Sequence, residues 1–385
     1  MSFATPALWT VPWILPLVGG LWRGRNSRSL DDFPVDVPGD APLVSVIIPA
    51  RNERRNIERC VRSALSAAYP ALEVIVVDDH STDGTGDIAR AVAAEDDRLR
   101  VIQAPDLPEG WFGKQWACAT GARDARGSLL LFTDADTWHA PDLLPRSVNA
   151  LRARDADLLS VAPKQEMHSF WERVAQPQVF GLLALRYGGT EHVSRTRRPS
   201  DAIANGQFLL VRRDAYDAMD GHARVRAGVA EDLSLAQEWV RAGRRIALFL
   251  AFGQMSTHMY ASLREVIGGW RKNIYAGGRT AVPGGALGRV LFPLLLPMAP
   301  LIALAPPVAL VASLAGWLPA AWLGWSAVVV VASLLFWMIV YRAMEESPAY
   351  ALIYPLGHAL LFYIIVGAVV RGRRVEWKSR RYVSS

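Results

Sequence analysis

Three acidic clusters carry most of the chemistry legible in this chain. Asp78 and Asp79 close the apolar run EVIVV, Asp134 and Asp136 follow SLLLFT, and Glu231 and Asp232 open a helical stretch. A carboxylate at the end of a strand accepts hydrogen bonds from a base N–H or a ribose hydroxyl. Two carboxylates two residues apart suit a hard divalent cation, Mg2+ or Mn2+, whose shell is completed by other oxygens. A carboxylate in the first turn of a helix takes the proton of an attacking hydroxyl if it lies within hydrogen-bond reach. Each cluster also has a plainer explanation. Asp78 and Asp79, with Ser81, Thr82 and Asp83, make good helix caps, a lone Asp-x-Asp is common by chance, and acids at a helix start are favoured by the dipole alone. Extended backbone after the strand would turn Asp134 and Asp136 to one side.

The elements that must position these groups alternate. Leu43 to Ile48, Glu73 to Val77, Leu99 to Gln103 and Ser128 to Thr133 read as strands. Helical periodicity lies between them, in Glu53 to Ala68 with Ile57, Val61, Ala64 and Leu65 on one face, and in Gly84 to Ala94. This is the pattern of an α/β, Rossmann-like and mostly parallel sheet covered on both faces. Such sheets bind ligands at the carboxyl ends of their strands. Each acidic cluster falls where a loop at that edge belongs.

Composition divides the 385 residues into three stretches. Residues 1–41 form an apolar N-terminal anchor and linker, 42–285 a charged domain able to bury its own core, and 286–385 a membrane region with a basic tail. A membrane span needs roughly 20 apolar residues. Val290 to Ala312, Ala320 to Tyr341 and Tyr350 to Val370 meet that length, the first made irregular by Pro293, Pro297, Pro300, Pro306 and Pro307. Ala4 to Trp22 lacks the basic start and cleavage site of a signal peptide and reads as an uncleaved anchor, with Trp9, Trp13 and Trp22 suited to headgroup depth.

Within the net charge of +6, Arg23, Arg25 and Arg28 follow the first apolar stretch, and Arg371, Arg373, Arg374, Lys378, Arg380 and Arg381 follow the last. Both flanks are expected on the cytoplasmic side of a multi-pass cell-membrane protein, along with the charged domain. Three full crossings would leave the tail outside. One apolar stretch is then re-entrant or interfacial, either residues 290–312 or the segment around Pro355 and Gly357. Basic residues beside apolar spans meet anionic lipid rather than nucleic acid. Cys60 and Cys118 have no partner at ligand spacing, and the seven histidines form no metal motif. A channel or transporter would need ionisable residues inside the spans, where His358 stands nearly alone.

The set VSVIIPARNE, VVDDHSTDGT, GWFGKQWACATG, LLLFTDADT and AEDLSLAQEWVRAG resembles the inverting family 2 glycosyltransferases with a GT-A fold, over roughly residues 43 to 285. PEGWFGKQWACATGA narrows the resemblance to membrane-anchored members with lipid acceptors, such as the carotenoid- and hopanoid-associated enzymes and, more distantly, ceramide glucosyltransferase. WKSRRY, Trp377 to Tyr382, is similar to the ending of several such enzymes, with Ser379 in place of glycine.

The resemblance implies that Pro49, Ala50, Arg51 and Glu53 border the nucleotide and that Asp79, with Asp78, binds its base. Lys114 would approach the donor phosphate or sugar, Asp134 and Asp136 would contact ribose or sugar and hold the metal, and Asp232 would be the base. Asn205, Gly206, Gln207 and Glu231 are candidates for the sugar or acceptor pocket, with a plain strand and turn as the competing account of ANGQFLLVRRDAY. Where many processive and ceramide-type members carry Gln-x-x-Arg-Trp, this chain reads EVIGGWRKNIYAGGRT, which argues against a processive polymer synthase. Arg271 and Lys272 there either stabilise the leaving diphosphate or anchor a helix at anionic lipid.

The expected activity is inverting, metal-dependent transfer of a hexose from a nucleotide sugar, UDP-hexose by resemblance, to a hydroxyl of a membrane lipid, most specifically a carotenoid or related terpenoid. Transfer to a polyprenyl phosphate or a glycerolipid is the alternative enzyme, and a membrane-anchored nucleotide-binding scaffold without turnover is the alternative class.

Overall fold

The strands with unbroken apolar runs become the centre of a sheet. Residues 44–50 (β1) and 72–78 (β2) are buried almost throughout, as befits parallel strands covered on both faces. Residues 99–103 (β3) are half-exposed at one edge. Residues 129–133 (β4), 137–139 (β5), 158–165 (β6), 208–212 (β7) and 246–257 (β8) complete an eight-stranded sheet of order β3-β2-β1-β4-β7-β6-β8-β5. β1, β2, β3 and β4 run parallel, as do β6 and β8, while β7 is antiparallel to both β4 and β6. The sheet is therefore mixed but mostly parallel. The Ile57–Leu65 helix buries Ile57, Cys60, Val61, Ala64 and Leu65, the i, i+3, i+4, i+7 stripe of an amphipathic helix, against it.

The structure, a computed structural model, describes residues 4–37, 39–281, 285–372, 374–377 and 380–383. Contacts divide the chain into two units that are not contiguous in sequence. Residues 27–166, 190–259 and 373–385 form the sheet unit, and residues 1–26, 167–189 and 260–372 form a helical unit. Boundaries drawn on composition at 41/42 and 285/286 differ from these, because the Phe170–Tyr187 and Leu263–Ala281 helices pack with the apolar helices. Both carry charged and polar residues, so a composition average assigns them to the charged domain although they pack with the apolar helices.

Three helical stretches of the helical unit are long and apolar enough to cross a membrane: Val290–Leu314, Ala320–Ala343 and Pro348–Arg371. The first is interrupted, with one helix ending at Leu295 and the next starting at Met298 after Pro297, as its proline content led one to expect. Large apolar residues such as Val308, Leu314 and Val370 stay exposed on these helices, a surface suited to lipid. Ala4–Gly24 is helical with Pro12 and Pro16 inside it. Its Trp13 indole N–H, expected at headgroup depth, donates to the Ile302 carbonyl at 3.1 Å, and the ring meets Trp325 edge-on. Arg271 stacks on Tyr363 at 4.7 Å and lies so close to the Tyr354–Arg371 helix that a Cβ on Gly367 would fall 2.3 Å from its Nε. Arg373, Lys378 and Ser379 of the tail lie outside the described residues.

Candidate active site

Strand direction brings the site together. β1, β2 and β4 are parallel neighbours, so Arg51, Asp79 and Asp134 all emerge at the same sheet edge. β7 is antiparallel to β4, with Thr133 opposite Phe208, so it begins at that edge and delivers Asn205, Gly206 and Gln207 there. The Thr133 hydroxyl donates to the Gln207 carbonyl at 2.8 Å and locks the two segments together.

At the first cluster, Gly84 takes the N-cap position of the Thr85–Ala93 helix without a side-chain cap, and the Asp83 carboxylate ahead of it accepts from the Thr85 and Arg54 amides. Asp78 accepts from the Ser81 amide at 3.0 Å and lies so close to Gly86 that a Cβ there would be 2.5 Å from Oδ2. Asp78 thus shapes the turn. Asp79, also buried, pairs with Arg51 at 3.8 Å, and the Arg51 guanidinium donates to the Asp79 carbonyl. Pro49 and Ala50 end β1, and the Glu53 amide donates to the Thr85 hydroxyl at 2.8 Å.

Asp134 and Asp136 sit on a turn between β4 and β5 rather than on extended backbone, so strand alternation does not set their directions. The turn is pinned by its backbone. The Thr137 hydroxyl donates to the Asp134 carbonyl at 2.8 Å, and the Cys60 thiol reaches the same oxygen at 3.5 Å. His139 stacks its polar edge on Thr133 and Thr137, each at 3.1 Å, and burial pushes its pKa down to about 4, so it is neutral. No spacing in the sequence marks Cys60, Thr137 or His139 as supports of this turn.

Lys114 is the centre of the charged cluster. Its ammonium contacts Asp134 Oδ1 at 2.7 Å and Glu231 Oε1 at 2.8 Å. Burial alone would lower its pKa, but Asp134 and Glu231 outweigh that and hold it well above the usual lysine range. Asp232 accepts from the Gly206 amide at 2.8 Å and from the Leu233 amide at 2.7 Å. Burial, then the neighbouring Glu231 charge, push its pKa up to about 6, while Lys114 and the two amides oppose the rise. Burial, followed by the Asp134 and Glu53 charges, likewise pushes Asp136 up to about 8. Around this centre, Asn205 Nδ2 donates to the Val161 carbonyl and to Gln207 Oε1, and Gln207 Nε2 donates to the Thr257 hydroxyl. Arg271 and Lys272 belong to the helical unit.

A divalent cation fits these residues. Asp136 Oδ1 is buried without a hydrogen-bond partner, and the charges of Asp134 and Glu53 act on the same carboxylate. Among the described residues no group of three His, Cys, Asp or Glu side chains is gathered to hold a metal by itself.

Residues 45–219 match the model of Glycosyl transferase family 2. Residues 45–219 thus carry a family 2 glycosyltransferase domain. The chain is 28% identical over 275 residues to a 4,4'-diaponeurosporenoate glycosyltransferase of Staphylococcus haemolyticus, covering 70% of this chain and 71% of that one. It is 28% identical over 247 residues to the protein of that name in Staphylococcus aureus, covering 62% and 63%. The chain thus spans somewhat under two thirds of the second relative. Its fold is that of a mannosyltransferase, PcManGT of Pyrobaculum calidifontis, solved with GDP-Man and Mn2+: TM-score 0.57, 19% identity, 96% of this chain and 97% of that one.

Gly206 offers a direct check on how tightly the candidate site is built. A Cβ there would lie 3.1 Å from Asp232 Oδ2 and 3.3 Å from Lys114 Nζ. Gly206→Ala is expected to lower kcat by roughly 10- to 100-fold, since displacements near 1 Å cost that much in an aligned site. Circular dichroism and melting should stay close to the parent's, and unchanged turnover would show that the spot is slack.

Proposed function

We propose that the protein transfers a hexose from a nucleotide sugar to a hydroxyl of a membrane lipid, a carotenoid or related terpenoid, with inversion at the anomeric carbon. The observation that carries this reading is the Lys114 ammonium shared by Asp134 and Glu231, which puts the Asp-x-Asp turn and the start of the Asp232 helix on one cluster. Asp79 and Arg51 at the neighbouring strand ends would border the base and ribose. Asp134 and Asp136 would hold a divalent cation, which, when bound, supplies Lewis-acid neutralisation of the diphosphate.

Asp232 is fixed by two backbone amides, so one face of its carboxylate is oriented before any acceptor arrives. As the acceptor oxygen forms its bond to the anomeric carbon, the bond to the diphosphate breaks and the hydroxyl proton passes to Asp232. With its pKa raised to about 6, the carboxylate is ionised near pH 7 yet basic enough for that transfer. The reaction needs no covalent nucleophile, and inversion follows from the single displacement.

The named relatives act on diaponeurosporenoate, a carboxylate, and this supports a second reading in which the acceptor is an acid. The base favours the hydroxyl: burial and the neighbouring Glu231 charge leave Asp232 basic enough to take a proton, which an ionised acid acceptor has no need to lose. The apolar helices support a bilayer acceptor, because a lipid confined to the membrane is met by a chain confined with it. Their arginine flanks favour a multi-pass chain with its catalytic domain in the cytoplasm. Mass spectrometry of lipids extracted with and without the gene tests the whole. A pigment or terpenoid lacking one hexose is the expected result, whereas loss of a soluble polysaccharide instead would reject it.

A further inference from the structure

The Glu231–Arg241 helix starts without a side-chain cap, because Ala230 occupies the N-cap position. Its first two residues are adjacent carboxylates whose charges oppose each other. Something must hold this turn in register. The start of the Gly113–Asp124 helix grips it and the segment leading into it at three points. The Phe112 amide donates to the Arg226 carbonyl at 2.8 Å, Gln115 Nε2 donates to the Gly228 carbonyl at 2.5 Å, and Lys114 pairs with Glu231 at 2.8 Å. The first two contacts fix the approaching backbone. The third fixes the side chain next to Asp232 and, through Asp134 at 2.7 Å, ties it to the Asp-x-Asp turn.

We propose that Lys114 is a positioning residue that acts through Glu231: it draws that carboxylate away from Asp232, and so sets the first turn of the helix and the direction in which Asp232 faces the acceptor. This rests on the reading of Asp232 as the base, and it reassigns Lys114 from the donor to the base helix. Lys114 and Asp232 are close enough for the effect, since both lie within 3.3 Å of the point where a Cβ on Gly206 would stand. Gly206 has no side chain to keep them apart. The Lys114 side chain is 23% exposed and that of Glu231 11%, so solvent screens the pair only in part.

The test is a double-mutant cycle on the full-length protein in detergent, with UDP-glucose and GDP-mannose as donor probes, Mn2+, and lipid extract from cells lacking the gene as acceptor. Lys114→Met is expected to lower kcat about 100-fold, with the donor KM, and donor Kd by calorimetry, changing less than about 3-fold. Glu231→Gln should lower kcat about 10-fold, and the double variant should be no worse than Lys114→Met, because both changes break one link. Lys114→Arg, which can still bridge two carboxylates, should recover most of the loss. Losses that multiply, or a Lys114→Met effect confined to donor KM and Kd, would overturn the proposal and return the lysine to the donor. Hydrogen exchange needs no turnover and separates this failure from failure of the proposed activity. Lys114→Met and Glu231→Gln should each speed exchange of the Leu233 and Ser234 amides, and unchanged exchange rejects the positioning role even if no lipid is glycosylated.

Discussion

Asp232→Asn is expected to abolish transfer while leaving donor binding intact. Asparagine keeps the shape, and its carbonyl oxygen can still accept from the Gly206 or Leu233 amide, so the turn should survive. What it loses is the capacity to take a proton. General-base contributions of roughly 10²- to 10⁴-fold set the size of the fall in kcat. The parent's pH profile follows from the same carboxylate. Its pKa is pushed up to about 6 and it must be ionised to act, so activity should fall as pH drops below 6 and level off above it. The two acceptor readings separate here. A hydroxyl must lose its proton during attack, whereas a carboxylate is already a nucleophile at pH 7, with an unperturbed pKa near 4. If Asp232→Asn turns over at the parent's rate, the base role is wrong and an acid acceptor of the kind in the relatives' names takes precedence.

Removing divalent ions with EDTA is expected to stop turnover, with recovery on adding Mn2+ or Mg2+, and Asp136→Asn should be inactive under every ion. Full activity in EDTA would refute this part. The same substitution should have an opposite effect on stability. Asp136 carries a buried, unpartnered oxygen and a pKa pushed up to about 8 by burial and by the Asp134 and Glu53 charges. A carboxyl group whose folded pKa exceeds its unfolded value favours folding most below the unfolded pKa, near 4, and that contribution is lost as pH rises through 8. In EDTA, Asp136→Asn should therefore raise Tm by a few degrees at pH 8 to 9 and by much less at pH 5. Scanning calorimetry at the two pH values checks the sign. A destabilised variant at high pH would mean that the carboxylate is compensated by contacts of its own.

Much of the sheet unit was legible because its physics is local. Leu99 to Gln103 is the strand read from the sequence, and β1, β2 and β4 depart from their expected bounds by one or two residues. Continuous apolar runs ended by acids announce buried parallel strands with polar carboxyl ends. The helix expected over Glu53 to Ala68 runs from Ile57 to Leu65: the Asn52, Glu53 and Arg54 amides bond to Ser81, Thr85 and Asp83 on the next loop, and the Glu53 carbonyl accepts from Asn56 and Ile57 in a turn that leads into the helix. Those loop partners lie about 30 positions away and leave no periodic trace.

The residue types were readable in the sequence: carboxylates after strands, a lysine at a helix start, apolar stretches long enough for a bilayer, and a proline-broken first stretch. Each of these depends on near neighbours along the chain, where hydrophobic period and backbone sterics act. Which groups meet was decided only by the tertiary structure. The antiparallel insertion of β7 beside β4 carries Gly206 to the edge where Asp134 emerges, the turn after Thr133 replaces the extended geometry expected for Asp134 and Asp136, and Lys114 turns toward Glu231. Long-range electrostatics and strand order are properties of the folded arrangement, because charges more than a hundred positions apart interact only once the sheet has placed them within a few ångströms.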